Sequence, residues 1–204
     1  MERIIKDGYT RVSTISGAFG GYGGIPAAIL KNAANRGTAV HEIIKDLILD
    51  IPVAENRFEF MNQKPNGDLE KISLKGYVDS FWIFWKPIEA RIVPVLIEEE
   101  IENEVLMVTG QPDYFGKLDN RTILFDWKCT SKNSTNWDIQ ANGYVDLYEP
   151  YYNDVVEEMN FVRLDKDGKE PEIVELVRDL DLFSNCHGYY HRYFKNQINY
   201  LEKE

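Results

Sequence analysis

The chain has 204 residues, of which 44% are hydrophobic and 13% aromatic, so it is long enough for one domain with a sizeable core. No stretch reaches the roughly 20 apolar residues of a membrane span, and the first residues lack the apolar run of a signal peptide. Two cysteines, Cys129 and Cys186, exclude a disulfide framework and a four-cysteine cluster. We therefore expect a single cytoplasmic domain over residues 1–204, without membrane association.

The net charge of -11 argues against unaided binding of nucleic acid, because phosphate binding depends on lysine and arginine. Basic side chains nevertheless outnumber acidic ones within residues 1–45. We infer that the N-terminal part is the one suited to face a polyanion.

The first predicted elements are helical. A glycine-rich segment, Ser16–Pro26, matches no phosphate-binding pattern and predicts a loop that serves as a hinge or a lid. A helix is predicted from Ile25 to Leu30, with Pro26 in its first turn. Apolar residues at helical spacing predict a second helix over Arg36–Leu49 and a third over Leu69–Trp85.

A block of strands follows, and then strands and helices mix. Alternating and β-branched runs predict strands over Arg91–Ile101, Val105–Thr109, Pro112–Lys117 and Thr122–Trp127. Later elements are a helix, two strands around a turn and a final helix, at Asn136–Tyr148, Glu157–Leu164, Glu172–Val177 and Leu180–Leu201. This order predicts the α/β class, with a central mixed sheet flanked by helices.

One predicted hairpin brings two carboxylates together. Asp119-Asn120 suits a two-residue type I′ turn, which sets Leu118 opposite Arg121. The same register sets Asp113 opposite Asp126, with Cβ atoms about 4.5 to 5.5 Å apart, where like charges are destabilising unless something neutralises them. A divalent cation would do so.

A lysine joins this face of the hairpin. The period of two puts Lys128 on the side of Asp126, whereas Phe125 and Trp127 point into apolar packing. Carboxylate oxygens suit Mg²⁺, and a nearby lysine can stabilise charge on a phosphorus centre, so hydrolysis of a phosphodiester is the natural reaction class. The alternative is an exposed hairpin that carries these groups by chance.

Four short motifs occur in order along residues 11–148. His41 follows Asn35-Arg36-Gly37-Thr38-Ala39-Val40, and the other motifs are Gly110-Gln111-Pro112-Asp113, Asp126-Trp127-Lys128 and Gln140-Ala141-Asn142-Gly143-Tyr144. The last three resemble the G-x-x-D, D-x-K and Q-x-x-x-Y elements of the PD-(D/E)XK nuclease superfamily. The first, preceded by the run Arg11-Val12-Ser13-Thr14-Ile15, is similar to the helix that supplies a histidine metal ligand in one branch of that superfamily. The set is most similar to its RecB-like, phage exonuclease branch.

The resemblance implies a restriction-endonuclease-like core, with the N-terminal loop and helices in residues 1–50, the catalytic core in 91–148 and a C-terminal helix in 180–204. Its implied metal ligands are His41, Asp113, Asp126 and the backbone carbonyl of Trp127. The implied catalytic residues are Lys128, Asp113 and Asp126. Gln140 and Tyr144 would bind substrate, and Glu98 would be an additional acid.

The resemblance also implies an activity. The implied activity is that of a Mg²⁺- or Mn²⁺-dependent deoxyribonuclease without an iron–sulfur cluster. The implied role is that of an exonuclease in phage-type recombination or repair, in the bacterial or phage-infected cytosol. DNA is the expected partner, with a recombination or single-strand-annealing protein and a homo-oligomer as further expectations. The alternatives are a catalytically silent DNA-binding or protein-interaction subunit and a sequence-specific endonuclease.

Overall fold

The computed structural model describes residues 7–21, 24–64 and 66–195. Its main sheet has five strands and is mixed. The strands are β1 Thr10–Arg11, β2 Glu59–Gln63, β3 Leu69–Ser73, β4 Ile92–Ile97, β5 Ile101–Asn103, β6 Val108–Gly110, β7 Tyr114–Leu118, β8 Arg121–Lys128, β9 Glu158–Arg163 and β10 Glu172–Leu176. The helices are α1 Val12–Gly17, α2 Ala27–Ile48, α3 Lys75–Trp85, α4 Trp137–Tyr152 and α5 Leu182–Tyr189, with a 3₁₀ turn at Glu55–Phe58 and a π-helical turn at Tyr190–Phe194.

The main sheet has the strand order β10-β9-β8-β7-β4. The β8–β9 pair is parallel and is connected through α4, whereas the other three pairs are antiparallel. Strands β1, β6 and β5 form a small second sheet, and β2 pairs with β3. Among the described helices, none is long and apolar enough to cross a membrane.

Each face of the main sheet carries its own core. On one face Leu124 and Phe161 belong to a cluster with residues of α1, α4 and α5. On the other face Phe125 and Trp127 belong to a cluster with residues of α2 and α3, and Trp127 lies edge-on to Phe81 with ring centroids 5.3 Å apart. Helices thus cover both faces of a mixed sheet, which confirms the predicted α/β class.

Two helix predictions need correction. The runs predicted as separate helices at Ile25–Leu30 and Arg36–Leu49 form one helix, α2, with Pro26 at its N-cap, because the intervening residues keep helical backbone. The helix predicted over Leu69–Trp85 begins only at Lys75. Its first five residues form β3, because β2 offers them a hairpin partner that the sequence pattern did not reveal.

The strand predicted over Arg91–Ile101 is two strands. β4 ends at Ile97, and Glu98 takes a left-handed backbone conformation with a φ of 50°. A β-strand cannot continue through that conformation. The chain therefore leaves the main sheet at Glu98 and resumes as β5 in the second sheet.

The hairpin register is confirmed. Leu118 pairs with Arg121, and the ladder continues to Tyr114 and Phe125. Asp119 and Asn120 both have positive φ angles, 51° and 69°, as a type I′ turn requires.

The strand predicted over Val105–Thr109 is mostly wrong, because residues 104–107 form a turn and the strand there, β6, begins only at Val108. The other helix and strand predictions hold with changes at their ends. The glycine-rich segment is helical as far as Gly17, and Gly23 lies outside the described residues. The final helix is described as α5 and the π-helical turn, and its predicted residues beyond 195 lie outside the described part.

Two glycines in helices have opposite surroundings, and this difference predicts opposite effects on stability. A Cβ at Gly76 would lie 1.9 Å from the backbone oxygen of Lys166, whereas a Cβ at Gly37 would meet nothing within 4 Å. We expect Gly76→Ala to lower the free energy of unfolding by about 2 kcal/mol, because backbone must move. Gly37→Ala should raise it by about 0.5–1 kcal/mol. Urea unfolding measures both, and equal effects would contradict the packing described at Gly76.

Candidate metal centre

A cavity of about 300 Å³ opens where α2, α4 and the ends of β4, β7 and β8 converge. Its walls are predominantly polar. The lining residues are Thr38, His41, Glu42, Lys45, Glu98, Gln111, Asp113, Asp126, Lys128, Gln140 and Tyr144. The cavity therefore contains the side chain of every predicted site residue except Trp127, whose predicted contribution is a backbone carbonyl.

Helix α2 contributes a polar stripe to this cavity. Thr38, His41, Glu42 and Lys45 stand at positions i, i+3, i+4 and i+7, so they share one face. The neighbouring face, with Val40 among its residues, is fully buried in the core. Sequence reasoning singled out only His41, although the helical spacing of the other three was a signal that could have found them.

The sheet positions Glu98 and Asp113 side by side. β4 and β7 pair as far as Ile97 and Tyr114, and just beyond that pair the backbone N–H of Glu98 donates to the carbonyl of Asp113 at 3.0 Å. The left-handed backbone of Glu98 ends the strand at this point, and the Glu98 side chain lines the cavity.

Three side chains converge on one point. His41 Nδ1 lies 3.0 Å from Asp113 Oδ1 and 3.4 Å from Glu98 Oε1. One ligand atom from each of the three lies within 4.8 Å of the other two. The second oxygen of Asp113 accepts a hydrogen bond of 2.6 Å from the backbone N–H of Trp127, so the carboxylate is held in place.

Electrostatics at this point favour the uptake of positive charge. Burial and the nearby carboxylate of Asp126 raise the pKa of Asp113 to about 7. Burial lowers the pKa of His41, but Asp113, together with hydrogen bonds to Cys129 and Glu98, outweighs it and raises that pKa well above 6.5. Both shifts favour the protonated forms of Asp113 and His41, because the site otherwise concentrates negative charge away from water.

A second chain of contacts leads from the sheet to α4. The Lys128 ammonium forms an ion pair with Asp126 Oδ1 and donates to Gln140 Oε1 at 2.9 Å. Gln140 Nε2 in turn donates to the Tyr144 hydroxyl at 2.9 Å. The ammonium also lies 4.4 Å from the ring centroid of Phe161, so it has a defined position.

The geometry differs in one respect from the predicted ligand set. Glu98, predicted only as an additional acid, lies in the tight cluster with His41 and Asp113. Asp126 lines the same cavity but pairs with Lys128. The side chain of Trp127 is buried in the sheet, and the role of its backbone carbonyl stays a prediction.

The donor set fits a divalent metal ion. Carboxylate oxygens and an imidazole nitrogen are common ligands of divalent metal ions in proteins, and His41, Glu98 and Asp113 offer both kinds. Among the described residues no hydrogen bond reaches the buried Asp126 Oδ1, whose ion pair leaves it able to accept another ligand. A cation here would also offset the mutual repulsion of the three carboxylates.

Comparisons with known proteins give structural neighbours only. No protein-family model matches the chain, and no curated protein does. A solved alkaline exonuclease from Laribacter hongkongensis is 12% identical with a TM-score of 0.46, over 96% of this chain and 92% of that one. The solved protein SSO0001 is 11% identical with a TM-score of 0.43, over 93% and 76%. Both TM-scores are low, so neither neighbour assigns a function to this chain.

The raised pKa of Asp113 predicts a pH-dependent effect of its neutralisation. In the unfolded chain an aspartate ionises near pH 4, whereas in the folded protein Asp113 keeps its proton to about pH 7. The wild type therefore loses stability as the pH rises through this window, and the raised pKa of His41 acts in the same direction. Asp113→Asn removes the ionisation, so its free energy of unfolding should increase relative to the wild type from pH 4.5 to 8.

Urea unfolding in EDTA measures this difference, and Asp119→Asn is the matched control. Asp119 lies in a turn that accepts asparagine, and its hydrogen bond to Arg91 lowers its pKa. Its titration therefore falls below this pH window, and its effect should stay constant across it. A constant effect of Asp113→Asn would contradict the raised pKa.

Proposed function

We propose that the protein is a metal-dependent nuclease of the PD-(D/E)XK type, in its RecB-like exonuclease branch, with a restriction-endonuclease-like core. The observation that carries the proposal is the convergence of His41, Glu98 and Asp113 beside the Asp126–Lys128 pair in one cavity. These groups come from α2, the ends of three strands and the loops beside them. Such a combination of hard metal ligands with a held lysine suits hydrolysis of a phosphodiester.

The metal is proposed to be Mg²⁺ or Mn²⁺. His41, Glu98, Asp113 and Asp126 would hold it, with the backbone carbonyl of Trp127 as a further ligand. When bound, it would lower the pKa of a water molecule and neutralise charge on the phosphate. The Trp127 N–H that holds Asp113 Oδ2 keeps the other oxygen of that carboxylate directed at His41.

Lys128 is proposed as the catalytic lysine. Its ammonium is placed by Asp126, by Gln140 and by the face of Phe161, and its side chain is only 15% exposed. A cation on the oxygen of Asp126 would weaken the ion pair with Lys128. The ammonium would then be available to stabilise charge that develops on the phosphate oxygens and to orient the attacking water.

Gln140 and Tyr144 are proposed to bind substrate. They line the cavity beside Lys128 and are joined to it by hydrogen bonds. Burial, with the carboxylates of Asp126 and Asp113, raises the pKa of Tyr144 well above 10. Its hydroxyl therefore keeps its proton and can donate a hydrogen bond to a phosphate oxygen.

DNA is the proposed substrate, and strand-end degradation in phage-type recombination or repair, in the cytosol, is the proposed role. The net charge of -11 opposes unaided capture of a polyanion. We therefore propose that a homo-oligomer or a recombination or annealing protein helps to hold the DNA at the cavity.

The nuclease proposal predicts a large loss of activity in Lys128→Ala. End-labelled linear DNA and closed circular DNA are incubated with Mg²⁺, Mn²⁺ or EDTA. We expect cleavage of linear DNA that requires metal, and a decrease of at least about a hundredfold in the variant, since one electrostatic contact to the transition state is commonly worth that much. Lys71→Ala, on exposed β3, is the control and should retain activity.

Other results would change the proposal in defined ways. Cleavage of circles would identify an endonuclease. An unchanged rate in Lys128→Ala would remove this lysine from the mechanism. No cleavage under any condition would favour a silent subunit with the same fold.

The metal proposal predicts stabilisation by the ion in the absence of DNA. A ligand at a hundred times its dissociation constant stabilises the folded state by about 2.7 kcal/mol. Mn²⁺ should therefore raise the thermal midpoint of the wild type, and Asp113→Ala should abolish that rise. An equal rise in both proteins would place the ion elsewhere.

A further inference from the structure

Gln111 makes an unusual pair of contacts with a single residue. Its Nε2 donates to the backbone carbonyl of Glu98 at 2.9 Å and to Glu98 Oε2, also at 2.9 Å. Both partners are acceptors only, so the amide orientation follows from chemistry: the oxygen of Gln111 would be repelled in that position. The two hydrogens of one NH₂ group thus hold the main chain and the side chain of Glu98.

Glu98 is a residue that needs such support. Its φ of 50° is disfavoured for a side chain with a Cβ, and such a conformation persists only when surrounding contacts determine it. The N–H of Glu98 is held by the carbonyl of Asp113 at 3.0 Å. Gln111 holds its carbonyl, so both peptide groups around the left-handed residue are fixed.

The contact also selects which carboxylate oxygen faces the cluster. Gln111 takes Oε2, and Oε1 lies 3.4 Å from His41 Nδ1. A freely rotating glutamate on a strand end would lose this orientation. Gln111 itself lines the cavity. It can therefore hold Oε2 of Glu98 while Oε1 stays directed at His41.

We propose that Gln111 is a positioning residue, which presents Glu98 to the metal ion by holding its strained backbone and one of its carboxylate oxygens. The proposal rests on the metal-dependent function proposed above. Outer contacts that orient a metal ligand typically change metal affinity by about 10- to 100-fold when they are removed.

The test is calorimetric titration of the DNA-free protein with Mn²⁺. Gln111→Met keeps the length of the side chain and removes the donor. We expect its dissociation constant for Mn²⁺ to rise by at least about tenfold. Gln63→Met is the matched control, because the hydrogen bonds of Gln63 to other described residues use its backbone and it does not line the cavity. Its affinity should match that of the wild type.

A double-mutant cycle separates positioning from a general structural effect. Glu98→Asn removes the carboxylate, and asparagine tolerates the left-handed conformation. If Gln111 acts through Glu98, Gln111→Met should cost nothing further in the Glu98→Asn background. In DNA cleavage, excess Mn²⁺ should restore most of the rate of Gln111→Met, as expected for a weakened site and not for a lost catalytic group.

Three results would overturn the proposal. They are an unchanged affinity in Gln111→Met, the same loss of affinity in the Glu98→Asn background as in the wild type, and a wild-type protein that binds no Mn²⁺. The last would remove the proposed metal-dependent function as well. In contrast, wild-type metal binding with the expected coupling but no DNA cleavage would leave the positioning role standing and refute the nuclease.

Discussion

Three carboxylates share one cavity, and their mutual repulsion is the constraint around which the site is built. Asp113 and Asp126 are buried, and the Glu98 side chain is mostly so, and charge confined in this way is costly unless it is paired. Two contacts within the protein offset part of this repulsion. His41 shares a hydrogen bond with Asp113, and Lys128 pairs with Asp126. A divalent cation would complete the compensation, which is why an arrangement that is costly by itself is well suited to bind one.

The rest of the fold holds these groups against that repulsion. Apolar clusters on both faces of the main sheet anchor β8 and α2, so Asp126, Lys128 and His41 project from elements with little freedom to move. Asp113 is held by the backbone of Trp127, and Glu98 by Gln111 and by the carbonyl of Asp113. The strand that would otherwise continue past Ile97 is ended by the left-handed Glu98, so local strain occurs at a residue of the site, where surrounding contacts can determine it.

Lys128, Gln140 and Tyr144 form a second part of the site, in which side chains are connected by hydrogen bonds. Hydrogen bonds within the protein connect Lys128 to Gln140 and Gln140 to Tyr144. Substrate phosphate would have to replace some of these contacts. This arrangement keeps the ammonium in position before substrate arrives, and such pre-organisation lowers the cost of orienting charge during the reaction.

Local patterns in the sequence determined the β7–β8 hairpin and the face that carries Asp126 and Lys128. The turn residues Asp119 and Asn120 set the register, and the period of two separated Phe125 and Trp127 from Asp126 and Lys128, because both rules depend only on near neighbours along the chain. Only the tertiary structure brought His41 to Asp113, moved Glu98 into the cluster and assigned Gln111 its contacts. These depend on where α2 packs and where β4 leaves the sheet. The hairpin of β2 and β3 was not predicted because a strand forms only where a partner strand lies beside it, and the residues of β3 do not identify that partner.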